Sequence, residues 1–294
     1  MSIQYRYLSE DDFAETHATM LEAFADYHLD MSYMTPQRSW LRNIKSGVDY
    51  ECSVGAFDGG KMVGFTFVGL DEWLGEMAAF DAATGIIPAY RGRGVAKSMF
   101  GFILPRLKAR GVSLFLLEVL QPNKAAIRAY EKSGFQISRE FACYDLQPDK
   151  FRGRAPREHG LQVRVIDKSE VRAFAKETSW QPSWENSFSG MDRIPDDLIR
   201  LGAFDADQCV GILVFYPLLE WLMSLVVTAG HRRRGVASLL LNALMVDLPG
   251  RVNKVKINNI DHSDTGMKKF IESAGAKWVI DQFEMEYRLD QGSD

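Results

Sequence analysis

Apolar and polar positions follow one another along the chain in runs that change period, and the changes mark the elements. Gln4 to Leu8 alternates as a strand does, and Ser9 then stands before an acidic start to a run spaced as a helix from about Asp11 to Phe24, where a serine serves as N-cap. Thr35-Pro36 opens a second helical run, proline being tolerated in a first turn. Tyr50 to Phe57 and Lys61 to Leu70 predict a hairpin across Asp58-Gly59-Gly60. Ala78 to Ile87 is β-type, and from Val95 through Leu107 apolar residues recur at helical spacing, which predicts strand, tight turn and helix. A strongly apolar strand that includes Leu114, Leu116 and Leu120 leads to a further helix after Asn123, and Phe135 to Leu146 supplies closing strands.

The same order then returns. Tyr5-Arg6-Tyr7-Leu8 is echoed by Val163-Arg164-Val165-Ile166, and Gly55-Ala56-Phe57-Asp58 recurs letter for letter at Gly202-Ala203-Phe204-Asp205. The offset shrinks from 158 (Tyr5 to Val163) through 147 (Gly55 to Gly202) to 141 (Arg91 to Arg232), so the second copy is a shortened first. The repeat predicts two tandem domains of α+β class, residues 1–148 and 161–294, each with a mixed, partly antiparallel central sheet flanked by helices. The Arg-, Gly- and Pro-rich stretch 149–160 reads as the linker. Gly211 to Gly230 is apolar enough to imitate a membrane span. Pro217, Glu220 and a β-branched second half point instead to two buried strands and a turn.

Between strand and helix lies Arg91-Gly92-Arg93-Gly94-Val95-Ala96. A helix start has N–H groups without intrahelical partners and a partial positive charge, and Gly92 and Gly94 let an anion meet bare backbone. Arg91 and Arg93 add charge and forked donors. Lys97 stands where a dinucleotide fingerprint needs its third glycine, and no phosphate-loop motif occurs. The second copy repeats the turn as Arg232-Arg233-Arg234-Gly235-Val236-Ala237, with His231 ahead of it.

Ile86-x-Pro88-x-x-Arg91-Gly92-x-Gly94-x-Ala96, followed by Leu117-Glu118-Val119, Asn123, Tyr130 and Gly134-Phe135, closely resembles the GCN5-related N-acetyltransferases (GNAT). The resemblance implies the acetyltransferase fold in both copies and an acetyl-CoA site, with the pyrophosphate on the turn and the thioester between two splayed strands. It places Ile86, Ile87, Arg91, Gly92, Arg93, Gly94, Val95, Ala96 and Asn123 at the cofactor, and Val227, Arg232, Arg233, Arg234, Gly235, Val236 and Ala237 at the matching place in the second copy. Asn123 is equally a helix cap. Tyr130 takes the family's place for a general acid, a phenol of pKa ~10 able to protonate the departing thiolate, although an aromatic at that spacing also suits a core. Glu118 occupies the base position of the ribosomal-protein alanine acetyltransferases that share this pattern, against a structural role in an apolar strand, and Asp81 is the competing base. In the second copy Asp264 replaces Asn123, Ile271 replaces Tyr130 and Ala276 replaces Phe135, which leaves a phosphate turn without the usual acid.

The reading is an N-acetyltransferase that moves the acetyl group from acetyl-CoA to a primary amine by direct attack, the first copy doing the chemistry. A CoA-binding sensor or scaffold, or catalysis in the second copy, are the alternatives. Tyr27, His28, Asp30, Tyr33 and Trp40 fall in the acceptor region of the family and suit a small cationic or aromatic amine, with a packed helix pair as the alternative; the partner expected is a small-molecule or peptide amine. Lys+Arg at 35 against Asp+Glu at 39 gives a net charge of −4, which argues against nucleic-acid or membrane binding. Cys52, Cys143 and Cys209 are odd in number and far apart, as in a cytoplasmic protein with reduced thiols, and neither they nor the five histidines show metal-ligand spacing.

Overall fold

A computed structural model describes residues 3–26, 30–153, 160–178, 180–194, 198–248 and 252–289. Tyr27, His28 and most of the expected linker, 154–159, lie outside them. Strand β1 (Gln4–Tyr7) leads into a turn where the Ser9 N–H donates to Asp12 Oδ2 at 2.8 Å, and then into helix α1 (Phe13–Ala23). Helix α2 (Pro36–Ser46) starts at its proline, with Thr35 Oγ1 accepting from the Arg38 N–H. The hairpin is β2 (Val54–Asp58) and β3 (Lys61–Trp73). Tyr50–Cys52, expected as strand, is a single helical turn because Asp49 accepts from the Cys52 N–H at its start. Then come β4 (Glu76–Ile86), α3 (Val95–Ala109), β5 (Leu114–Leu120), α4 (Lys124–Lys132) and β6 (Gln136–Leu146), the last one continuous strand where several were expected.

The second copy runs β7 (Gln162–Val165), α5 (Lys168–Ala173), α6 (Phe188–Arg193), β8 (Ile199–Asp205), β9 (Gln208–Tyr216) and β10 (Trp221–Val227). It closes with α7 (Val236–Asp247), β11 (Val255–Asp261), α8 (Thr265–Ser273) and β12 (Lys277–Arg288). Gly211 to Gly230 is indeed mostly two strands, β9 and β10, around the turn Pro217–Leu219. Among the described residues no helix is long and apolar enough to cross a membrane.

Two compact units result, and they do not follow the linear division 1–148 and 161–294. The first comprises the chain up to Arg139 together with the residues from Phe283 on, and the second runs from Glu140 to Gln282. In the first the strands lie in the order β1, β2, β3, β4, β5, β12, so the last strand of the chain closes its sheet. The Leu289 N–H donates to the Ser113 carbonyl at 2.8 Å, and Met285 and Leu289 are buried in that core. Glu284, 5% exposed, accepts from Arg139 at 2.8 and 2.6 Å and from Ser138 Oγ at 2.9 Å. In the second unit the order is β6, β11, β10, β9, β8, β7, with β6 antiparallel to β11 from Leu146 opposite Val255 to Phe141 opposite Asp261. The physical reason is that a strand's place is set by register and burial across the sheet, which a linear repeat does not encode.

The sheet of the first unit is covered on both faces. On one lie Val63, Val68, Ala79, Phe115, Leu117 and Val119 with Met99, Phe100 and Ile103 of α3; on the other Phe57, Met62, Phe65 and Phe67 pack with Met20 of α1. Full burial of such side chains is worth ~1.5–3 kcal/mol each. Two irregularities shape the C-terminal half of β4. β3 pairs with β4 as Phe67 with Ala83 and Val68 with Asp81, so Ala82 is an extra residue, a β-bulge. The parallel pairing of β4 with β5 ends at Asp81 opposite Leu117, although β4 continues to Ile86 and β5 to Leu120. Beyond that point the two strands part.

Candidate active site

The turn before α3 is built as a cradle. Gly92 and Gly94 have φ of +73° and +80°, which side chains rarely adopt, and a Cβ at either would meet nothing within 4 Å. Gly94 is the N-cap, and no side chain caps the helix, so the first-turn N–H groups of a 15-residue helix are left for a ligand. That fits the pyrophosphate of acetyl-CoA. Val95 is buried in the core and fixes where the helix begins. Arg91 is placed otherwise than its motif suggests. Its Nε donates to the Ile86 carbonyl at 3.1 Å, its Nη1 and Nη2 to Asp26 at 2.7 and 2.8 Å, and its Nη2 also to Ala23 O at 2.6 Å. Its fork therefore anchors the turn to the end of α1, and the anion-binding capacity rests with the backbone. Arg93 lies 4.9 Å over the Tyr90 ring, and buried Ile87 hands its N–H to Val63 O.

Tyr130, on α4, packs between Phe100 and Phe135 with both ring centroids at 5.8 Å, and its hydroxyl donates to Asp81 Oδ2 at 3.2 Å. The ring thus packs as a core aromatic does while the hydroxyl keeps a hydrogen-bond partner. Asp81 sits at the point where β4 and β5 part, and burial pushes its carboxyl up to about 7, against downward pulls from Thr84 and Tyr130. Thr84 Oγ1 donates to the same Oδ2 at 2.8 Å and so accepts from Thr66 Oγ1, 2.9 Å away. Residues three apart on a regular strand face opposite sides, and the bulge at Ala82 resets the phase so that Asp81 and Thr84 meet. Glu118 is half-buried and, alternating with Leu117 and Val119 of the α3-side cluster, faces the other side of the sheet. The two competing bases thus stand on opposite faces. Asn123 caps α4, its Oδ1 accepting from the Ala126 N–H at 3.1 Å.

The second unit repeats the scaffold and not the polar cluster. Gly235 caps α7 at φ +98° with no side-chain cap, and Arg233, at φ +67°, is left-handed as Gly92 is in the first copy. Arg232 Nε donates to Val227 O at 3.0 Å, as Arg91 does to Ile86, and Val236 is buried as Val95 is. Asp264 caps α8 through the Met267 N–H at 2.9 Å, matching Asn123. Even the bulge recurs, since Phe215 pairs with Leu222 and Val214 with Ser224, skipping Met223. By this register Thr66, Thr84, Asp81 and Tyr130 correspond to Leu213, Leu225, Leu222 and Ile271, four side chains of one aliphatic core. Thr66 and Thr84 were missed in the sequence, and the signal lay in comparing the copies: positions that change together from polar to aliphatic.

In the acceptor region Trp40 packs on Phe13 at 5.1 Å and stacks on Tyr50, Asp30 accepts from the Ser32 N–H and hydroxyl, and Arg38 lies over the Tyr33 ring. Burial pushes the Cys52 thiol up to about 11, which makes it a poor nucleophile.

Comparison with known proteins bears on the fold and the family. The model of the acetyltransferase (GNAT) family matches residues 14–135 and 165–276, and the chain belongs to that family. The mycothiol acetyltransferase of Corynebacterium glutamicum is 31% identical over 126 residues, 42% of this chain and 41% of that protein. A ribosomal protein bS18 alanine N-acetyltransferase of Haemophilus ducreyi is 34% identical over 82 residues, 28% of this chain and 55% of its own. The chain therefore spans about two fifths to just over half the length of these relatives. Among solved structures, a tandem GNAT protein from the clavulanic acid biosynthesis pathway superposes with a TM-score of 0.73 over 100% of both chains at 15% identity, a likeness of fold.

Proposed function

We propose that this protein is an acetyl-CoA-dependent N-acetyltransferase whose first repeat, completed by β12, carries out the reaction. The observation that carries this reading is the Tyr130 hydroxyl on buried Asp81 where β4 and β5 part, close in sequence to an uncapped helix start. Bound there, acetyl-CoA supplies a thioester carbonyl and a thiolate leaving group. Gly92, Gly94, Val95 and Ala96 hold its pyrophosphate through backbone N–H groups, with Arg93 beside them. Glu118 takes the proton of the attacking amine, a strand N–H in the gap polarises the carbonyl, and Tyr130 Oη protonates the sulfur. Direct attack is favoured because buried Cys52 is a weak nucleophile and the other cysteines lie in the second unit.

The acceptor is a primary amine of a small molecule or a peptide. Support comes from relatives named for mycothiol and for a ribosomal-protein alanine. Three thiols without a disulfide among them accord with a cytoplasmic setting. For the second unit, the uncapped start of α7 together with four aliphatic side chains favours CoA binding without turnover, and weighs against chemistry there. The test is thiol release from acetyl-CoA against a panel of amines, aminoglycosides and peptides. Tyr130→Phe should lower kcat by roughly 10²-fold with acetyl-CoA affinity nearly unchanged. Unaltered turnover in that variant would refute the assignment.

A further inference from the structure

Asp81 and Tyr130 lie on one face of the sheet, and Glu118 faces the other. Asp81 is 6% exposed, with Oδ1 buried and without a hydrogen-bond partner. Its Oδ2 faces Thr84, itself on Thr66, and Tyr130 of α4. β5 presents Leu117 in register, β3 presents Val68, and α3 reaches the cluster through Met99 beside Thr66. Among the described residues Tyr130 is the one titratable side chain acting on Asp81.

We propose that Asp81, held by Thr84 and Thr66, is the proton reservoir of Tyr130 and not the base for the amine; this rests on Tyr130 being the acid. Asp81 is then a positioning and relay residue that acts through the phenol. In its acid form Asp81 Oδ2–H donates to Tyr130 Oη, which turns the phenol proton toward the sulfur. As the C–N bond forms and the C–S bond breaks, the C–S electron pair stays on sulfur, Tyr130 passes its proton there, and Asp81 passes its own to the phenol oxygen. The amine's proton goes to Glu118. Tyr130 ends unchanged, Asp81 ends as carboxylate and Glu118 as acid, and after the products leave Glu118 releases its proton to water while Asp81 takes one up.

The relay changes the direction of the transfer. A free phenol, pKa ~10, gives a proton uphill to a thiolate whose thiol lies near ~8.5. A carboxyl that burial holds at about 7 behind the phenol makes the combined transfer downhill.

Carboxyl-carbon NMR of protein labelled in aspartate reads the reservoir without turnover, the Asp81 signal being assigned by its loss in Asp81→Asn. The expected midpoint is near 7, rising by about one pH unit in Thr84→Val, which deletes a donor to the carboxylate. A midpoint below about 5, in the ordinary carboxylate range, overturns the proposal. The rate profile with acetyl-CoA and an amine from the panel separates the two roles. A reservoir must enter protonated, so kcat falls as pH rises through the Asp81 midpoint, and Asp81→Asn removes that fall while lowering kcat ~10-fold or more. A rate that instead rises through the midpoint makes Asp81 the base and ends the idea. If no amine is turned over, the acetyltransferase reading itself fails; if turnover occurs and Asp81→Asn keeps the alkaline fall, the reservoir alone fails.

Discussion

Removal of the residues from Phe283 on should unfold the first unit and leave the second intact, although the linear repeat assigns those residues to the second copy. Met285 and Leu289 are 0% and 1% exposed in the core of the first unit, and losing each removes ~2–3 kcal/mol of burial. Glu284 clamps Arg139 with two short bonds, and taking one partner from such a buried pair costs ~3–5 kcal/mol. Backbone bonds such as Leu289 N–H to Ser113 O add ~1 kcal/mol each. The total, ~10 kcal/mol, is comparable with the whole stability of a domain, ~5–15 kcal/mol. Hydrogen exchange resolved by segment is the assay: amides of β2, β3 and β4 should lose protection in the truncated protein while those of β8, β9 and β10 keep it. A fragment 1–148 should fail in the same way, and the peptide Phe283–Asp294 added back should restore it. Folding and acetyl-CoA binding by 1–148 alone would refute the reasoning.

Glu118→Gln keeps size and hydrogen bonding while removing a base, so the acidic limb of the kcat/KM profile should vanish; an unchanged profile with lower stability makes Glu118 structural. Gly94→Val puts a side chain into the phosphate cradle at φ +80° and should abolish binding at one site, with Gly235→Val doing the same in the second unit, so calorimetry should count two CoA per parent chain and one per variant. A parent stoichiometry of one, lost in Gly94→Val alone, would dismiss the second site. Asp81 holds its proton more tightly folded, at about 7, than unfolded, at ~3.9, so the stability this proton confers is complete below pH ~4 and lost as pH climbs through 7, about 4 kcal/mol in all. Urea melts should therefore show Asp81→Asn gaining on the parent between pH 4 and 8, and a pH-independent difference would contradict the burial argument.

The local features were legible because local chemistry fixes them. Pro36 marks a helix start, Gly94 an uncapped one, and Asn123 a capped one, each within four residues of the atoms concerned. What escaped the sequence depends on distance along the chain. Asp26, which takes the Arg91 fork, lies 65 residues away, and Glu284 lies 145 from Arg139. The exchange of β6 and β12 leaves no trace in either strand's own alternation. The meeting of Asp81 with Thr84 depends on one extra residue, Ala82, that shifts the phase of a strand, and hydrophobic period alone reads such a strand as regular.

The aliphatic quartet of the second unit and the polar quartet of the first are each coherent only as a set. Reversing any one of Leu213, Leu225, Leu222 or Ile271 to its first-copy counterpart would put a lone polar group among hydrocarbon, at ~1–3 kcal/mol for a hydroxyl and more for a carboxylate. In the first unit the same groups are tolerable because each satisfies another: Thr66 gives to Thr84, and Thr84 and Tyr130 give to Asp81. Removing any one member of the first set strands its neighbours, just as introducing any one alone into the second strands the newcomer. The four positions therefore behave as one unit, changed together or not at all.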